Sequence, residues 1–139
     1  MKIQAIMTRD VKVASPDDDL QTAATMMEES DFGALPVGEG DHLVGILSDR
    51  DITIRAVARG LSPDRVKVRD VMTTDVKYVY EDESIEDIAV YMSELQVRRM
   101  PVLSRDHRLV GIVSLGDLAV NKPKSAGDAL SWISQPMLH

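Results

Sequence analysis

The sequence predicts a mixed α/β (α+β) protein made of two similar units, and two observations carry that prediction. The first is an internal repeat. Residues Met7 to Ile52 share one pattern with Met72 to Leu118, at an offset of 65 that becomes 66 after a one-residue loop insertion. Met7-Thr8 returns as Met72-Thr73, and Leu20, Ala23, Ala24 and Met27 return as Ile85, Ile88, Ala89 and Met92. Leu35-Pro36-Val37 returns as Met100-Pro101-Val102, Leu43 to Ile46 as Leu109 to Ile112, and Ser48 and Asp51 as Ser114 and Asp117. The second observation is a change of apolar period inside each copy, from strand-like alternation to a helical stripe and back. A polar pair present in both copies points to a site used twice.

The elements follow in order. Each copy opens with a short β-rich stretch, Val11 to Val13 and Val76 to Val79, whose branched residues suit a half-exposed strand. Ser15-Pro16-Asp17-Asp18-Asp19 then reads as a helix start, because proline tolerates the first turn and carboxylates favour the positive helix end. Glu81 to Ser84 takes that place in the second copy. The stripe that follows repeats at i, i+3, i+4 and i+7, which assigns Met26, Met27 and Met92 to core packing. The helices stop before Asp31-Phe32-Gly33 and near Leu95-Gln96. Two hairpins come next, with strands at 34–37 and 43–47, then 99–103 and 109–113. A second helix runs from near Asp49 to a stop at Gly60, and its counterpart from near Gly116 to Asn121. The reading places repeat 1 at 1–60, a linker at 61–69, repeat 2 at 70–121 and a tail at 122–139, in which 128–135 forms a last helix carrying Trp132 and Ile133.

Composition narrows the function. With 139 residues, 44% of them hydrophobic, the chain builds one ordinary core, whereas a lone repeat near 60 residues buries too little. The absence of cysteine excludes thiol catalysis, disulfides and thiolate metal sites. No apolar run reaches membrane-spanning length, so the cytoplasm is the expected compartment. A net charge of −7 argues against a nucleic-acid surface. The local basic patch of Arg55, Arg59, Arg65, Lys67 and Arg69 reads as a solvated helix face and linker. His42 and His107 stand at turn ends without a second ligand at metal spacing, so neither reads as a metal ligand.

Ser48-Asp49-Arg50-Asp51 and Ser114-Leu115-Gly116-Asp117 each follow a strand and open a helix. A serine there can hydrogen-bond a phosphate, and the aspartate three residues on can accept from two ribose hydroxyls. The same spacing is also a capping box, which the backbone wants for itself. Arg98 and Arg99 stand beside the second of these places and suit an anion. No Gly-rich phosphate loop, nucleophile elbow or H-E-x-x-H occurs, so the chain reads as a binder rather than an enzyme.

Met-Thr, V-x-V, S-P-D, L-x-x-A-A-x-x-M, L-P-V and L-V-G-I-L-S-D-R-D, duplicated in register from Met1 to about Asn121, resemble a tandem of cystathionine-β-synthase-type (CBS) domains, the Bateman module. Among its members the chain is most similar to small stand-alone bacterial CBS pairs such as the mycobacterial hypoxic-response type. The resemblance implies β-α-β-β-α per repeat, sheets packed about a pseudo-twofold axis, and a homodimer of pairs that signals through packing or a protein partner. It implies adenine nucleotide (AMP, ADP or ATP) as a regulatory ligand, with ribose on Asp51 and Asp117 and phosphate near Ser48, Ser114 and Arg50. Adenine would lie against Ala34, Leu35, Pro36 and Val11, or against Arg99, Met100, Pro101 and Val76, with Arg98 compensating in the second copy for the basic residue it lacks at Gly116. The alternative is a ligand-free dimeric scaffold in which those serines and aspartates only cap helices.

Overall fold

The computed structural model describes residues 1–30 and 33–121. The tail helix expected over 128–135 lies outside the described residues, as do Asp31 and Phe32. The fold is α+β, with five α-helices and five strands among the described residues.

Two compact units are present, and they are drawn differently from the repeats. One unit is Lys12–Val76; the other joins Met1–Val11 to the chain from Lys77 onward. The first-repeat unit contains α1 (Leu20–Ser30), β1 (Ala34–Glu39), β2 (His42–Ser48), α2 (Asp49–Arg55) and α3 (Val68–Val71). The second-repeat unit contains β3 (Val79–Tyr80), α4 (Ile85–Leu95), β4 (Arg99–Leu103), β5 (Leu109–Ser114) and α5 (Leu115–Asn121), preceded by a single 3₁₀ turn at Ile3–Ala5.

The regrouping has a backbone cause. In the first-repeat unit, Thr73 and Ile46 exchange two hydrogen bonds of 2.9 Å, so Met72-Thr73 runs beside β2. In the second-repeat unit, Thr8 and Ile112 exchange bonds of 2.8 and 2.9 Å, so Met7-Thr8 runs beside β5. Each Met-Thr segment thus forms an isolated antiparallel bridge along the second strand of its hairpin. The one-turn helices ahead of these segments are docked in matching fashion. The N–H groups of Val68 and Arg69 donate to Asp18 and Pro16 carbonyls, and those of Ile3 and Gln4 to Glu83 and Glu81 carbonyls. Ile3 and Val68, at equivalent places, are fully buried.

The two opening strands are shorter than the sequence suggests, and the shared prolines explain why. Ala14 forms a parallel bridge with Val37, donating to the Pro36 carbonyl and accepting from the Gly38 N–H. The next rung toward the N-terminus needs an N–H at residue 36, which proline lacks. Val11 to Val13 therefore form no strand, and the pairing is the single bridge at Ala14. In the second copy Val79 pairs with Val102, one residue after Pro101, and β3 extends forward from Val79 rather than back to Val76.

Pro16 also departs from expectation. It lies outside α1, in a turn where the Ser15 N–H donates to the Asp18 carboxylate at 2.9 Å. The cap is Asp19, which accepts from the Thr22 N–H at 2.7 Å. Ser84 caps α4 at the matching place, accepting from the Asp87 N–H. The stripes then bury Leu20, Ala23 and Met27 on α1, and Ile85, Ile88, Ala89 and Met92 on α4. Ala24 is exposed where Ala89 is buried, so the first stripe is narrower than the repeat suggests. Burial of each large aliphatic side chain contributes about 1.5–3 kcal/mol. The hairpins match expectation within two residues at each end. The helix expected to run from Asp49 to Gly60 breaks at Ala56, and a 3₁₀ turn at Val57–Arg59 leads to Gly60, whose φ of 72° marks the stop. No helix among the described residues is long and apolar enough to cross a membrane.

Candidate functional site

In both units the second hairpin strand runs directly into a helix, β2 into α2 and β5 into α5. The residue before the shared Leu/Met-Pro lies across the hairpin from the serine. Ala34 pairs with Ser48, and Arg99 with Ser114. The first helical N–H is held in the same way twice, Asp49 donating to the Gly33 carbonyl at 2.8 Å and Leu115 to the Arg98 carbonyl at 3.0 Å. One backbone frame therefore carries two sets of side chains.

The capping boxes are formed in both units. The Ser48 N–H donates to the Asp51 carboxylate and the Asp51 N–H to the Ser48 hydroxyl oxygen, each at 3.0 Å. Ser114 and Asp117 repeat this at 2.9 and 3.1 Å. These bonds use one carboxylate oxygen and a hydroxyl lone pair. The hydroxyl proton and the second carboxylate oxygen are not consumed by the cap. Capping and ligand contact are compatible at these residues.

The side chains around the two frames differ in charge. In the first-repeat unit the Asp49 carboxylate lies over Gly33, close enough that a Cβ there would stand 2.8 Å from an Asp49 oxygen. Asp49 also accepts from the Arg50 N–H at 2.8 Å, and the Arg50 side chain is exposed. In the second-repeat unit the matching places hold Arg98 and Leu115. There Arg98, Arg99, Ser114, Leu115 and Gly116 line an open depression of about 370 Å³.

The remaining expected contacts divide. Leu35 and Met100 are 1% and 2% exposed and belong to the two cores, so their side chains are not open to a ligand. Pro36 and Pro101 are also buried. Val11 ends the segment that belongs with the second repeat, and Val76 ends the first-repeat unit. Neither shares a unit with the serine and aspartate it was expected to join.

Three of the five residues of the basic patch have partners within the chain. Arg55 donates to the carbonyls of Val71 and Met72, while Lys67 and Arg69 pair with Asp17. The Arg69 guanidinium bonded to Asp17 holds that carboxyl below its ordinary value of 3.8. A depressed carboxylate adds stability above its unfolded pKa and loses it as pH falls through the folded one. Asp17→Asn is therefore expected to lower the melting temperature slightly at pH 7, as for an exposed ion pair, and to converge on wild type as pH falls below about 4 and the wild-type carboxyl protonates, read from thermal unfolding across pH 2–7.

His107 is exposed, yet it is not isolated. It adopts a φ of 64°, and its ring packs edge-on against Tyr78 and Tyr80. Two residues beside Asp51 were not among the expected site residues. Thr73 brings its hydroxyl to 3.4 Å from Asp51, and Arg55 reaches the same carboxylate at 3.6 Å. The repeated Met-Thr motif was the available hint for Thr73.

Two repeats on one frame, each with a Ser-x-x-Asp strand–helix junction, define a class of protein. The chain belongs to the CBS domain family, whose model matches residues 3–57 and 68–121. It is 40% identical to the CBS domain-containing protein YhcV of Bacillus subtilis, over 99% of this chain and 98% of that one. It is 42% identical to Hypoxic response protein 1 of Mycobacterium tuberculosis, over 87% and 85% of the two chains. A crystal structure of Hypoxic Response Protein I with two coordinated zinc ions superposes with a TM-score of 0.79, at 40% identity, covering 88% of this chain and all of that one. The CBS pair of protein MJ0100, in complex with 5′-methylthioadenosine and S-adenosyl-L-methionine, gives a TM-score of 0.74 at 26% identity, covering 89% and 97%. This chain has no cysteine, and among the described residues no three His, Asp or Glu side chains are grouped to hold a metal.

Proposed function

We propose that this CBS pair is a regulatory module that binds an adenine nucleotide of the AMP, ADP or ATP type through its second repeat. The observation that carries the reading is the placing of Arg98 and Arg99 around the depression that Ser114 also lines, with Asp117 three residues on. Guanidinium groups supply charge-assisted hydrogen bonds to phosphate, and the Asp117 carboxylate supplies acceptors for ribose hydroxyls. The adenosine ligands of the MJ0100 pair support the ligand class. The first-repeat frame carries Asp49 where the second has Leu115, and its charge opposes phosphate. The response passes to a second copy or a protein partner. Ile54, Val57 and Val120, which are 49%, 62% and 82% exposed, supply apolar surface for such an association.

The completed capping boxes favour one competing reading, a ligand-free scaffold. A thermal-shift panel with AMP, ADP, ATP, S-adenosylmethionine and NADH separates the two. Ligand at 100 times its dissociation constant is expected to add about 2.7 kcal/mol of stability. No rise with any of the five leaves the scaffold.

A further inference from the structure

The two units differ in what lies beside their aspartates. Arg55, at the end of α2, places its guanidinium 2.9 Å from the Val71 carbonyl and 3.2 Å from the Met72 carbonyl. The same nitrogen lies 3.4 Å from the Thr73 hydroxyl and 3.6 Å from an Asp51 oxygen. The Thr73 hydroxyl in turn lies 3.4 and 3.5 Å from the two Asp51 oxygens, one of which already accepts from the Ser48 N–H. The Asp51 side chain is only 12% exposed. Its acceptors are thus turned toward the chain itself.

The segment so held has little freedom. Met72-Thr73 is seated over Gly45, where a Cβ would stand 2.6 Å from the Met72 sulfur and 3.0 Å from the Thr73 carbonyl oxygen. Thr73 and Ile46 close the strap with two 2.9 Å bonds. The second-repeat unit has the same strap, Met7-Thr8 over Gly111, without the clasp. The residue equivalent to Arg55 is Asn121. Among the described residues its side chain makes one hydrogen bond, back to the Asp117 carbonyl of its own helix.

We propose that Arg55 is a positioning residue that clasps the Met72-Thr73 strap and commits the Asp51 carboxylate to it, so that the first repeat does not offer Asp51 to a ligand. Asn121 in place of Arg55 leaves Asp117 available, and the pair has one working site built from two matching frames. The site count rests on the adenine-nucleotide reading; the clasp does not.

Arg55→Asn, which copies the second repeat, tests both halves. The first measurement is amide hydrogen exchange at Thr73 and Ile46, expected to accelerate roughly 10-fold or more in the variant and less in Arg55→Lys. Unchanged exchange overturns the clasp. The second is a calorimetric titration with adenosine, which carries no phosphate for Asp49 to repel. Wild type is expected to bind one adenosine per chain, lost in Asp117→Asn. Arg55→Asn is expected to bind two, the second lost on adding Asp51→Asn. Two sites in wild type, or one in Arg55→Asn despite faster exchange, overturns the commitment of Asp51 while the nucleotide reading stands. Binding of neither adenosine nor AMP to wild type overturns the nucleotide reading, and the exchange result then decides the clasp alone.

Discussion

Asp117→Asn is expected to weaken AMP binding roughly 10- to 100-fold, since a hydrogen bond to a charged group contributes about 1.5–3 kcal/mol. Asparagine is the informative replacement because its amide oxygen still accepts from the Ser114 N–H, which the Asp117 carboxylate does at 2.9 Å. Alanine would remove the cap as well and cost about 1 kcal/mol of stability whether or not a ligand binds. The matched change Asp51→Asn is expected to leave AMP affinity within about twofold, because Asp49 repels an anionic ligand at that frame and the Asp51 carboxylate is already engaged by Arg55. Arg98→Ala is expected to weaken AMP more than adenosine, since its guanidinium addresses the phosphate. Competition titrations of both ligands against the three variants read all of this. Equal losses in Asp51→Asn and Asp117→Asn would mean two equivalent sites, and no loss in either would remove both aspartates from binding.

Much of this was open to the sequence, for a physical reason. Elements long enough to show a period, such as α4 with Ile85, Ile88, Ala89 and Met92 on one face, announce themselves. So do the hairpins, whose alternation is bounded by turn residues. What stayed hidden is shorter than a period or depends on distant partners. The single turns at Ile3–Ala5 and Val68–Val71 are too brief to display a stripe. The loss of the strand at Val11 to Val13 depends on Pro36, more than 20 residues away in sequence, and on which edge of β1 lacks an N–H. Ser48 and Asp51 were legible as a cap or a site, and the structure shows the cap complete while a hydroxyl proton remains to donate. The clasp was not legible, because Arg55 reads as one member of a basic run until its carbonyl partners on Val71 and Met72 are known.

Gly111→Ala is expected to cost about 2–3 kcal/mol, and Gly45→Ala less, about 1 kcal/mol, although the two glycines occupy one motif. The added Cβ at Gly111 would stand 2.6 Å from the Thr8 carbonyl oxygen and 3.0 Å from the Met7 sulfur. That oxygen accepts from the Ile112 N–H while the Thr8 N–H donates back to the Ile112 carbonyl, so it cannot retreat without straining the pair. At Gly45 the closest atom is instead the Met72 sulfur at 2.6 Å, with the Thr73 carbonyl oxygen at 3.0 Å. A thioether can swing to another rotamer at small cost. The penalty at Gly111 has a ceiling, since relief comes by releasing the Met7-Thr8 strap, which draws fully buried Ile3 from the core it shares with Val79 and Met92. Losing an aliphatic side chain of that kind costs about 2–5 kcal/mol by itself, so the clash is borne before the strap lets go. At roughly 4 °C per kcal/mol the melting temperature should fall by about 8–12 °C for Gly111→Ala and about 4 °C for Gly45→Ala. Equal shifts would mean that the Met7 and Met72 straps are held alike. A Gly111→Ala protein that melts with wild type would show that Met7-Thr8 does not lie against β5.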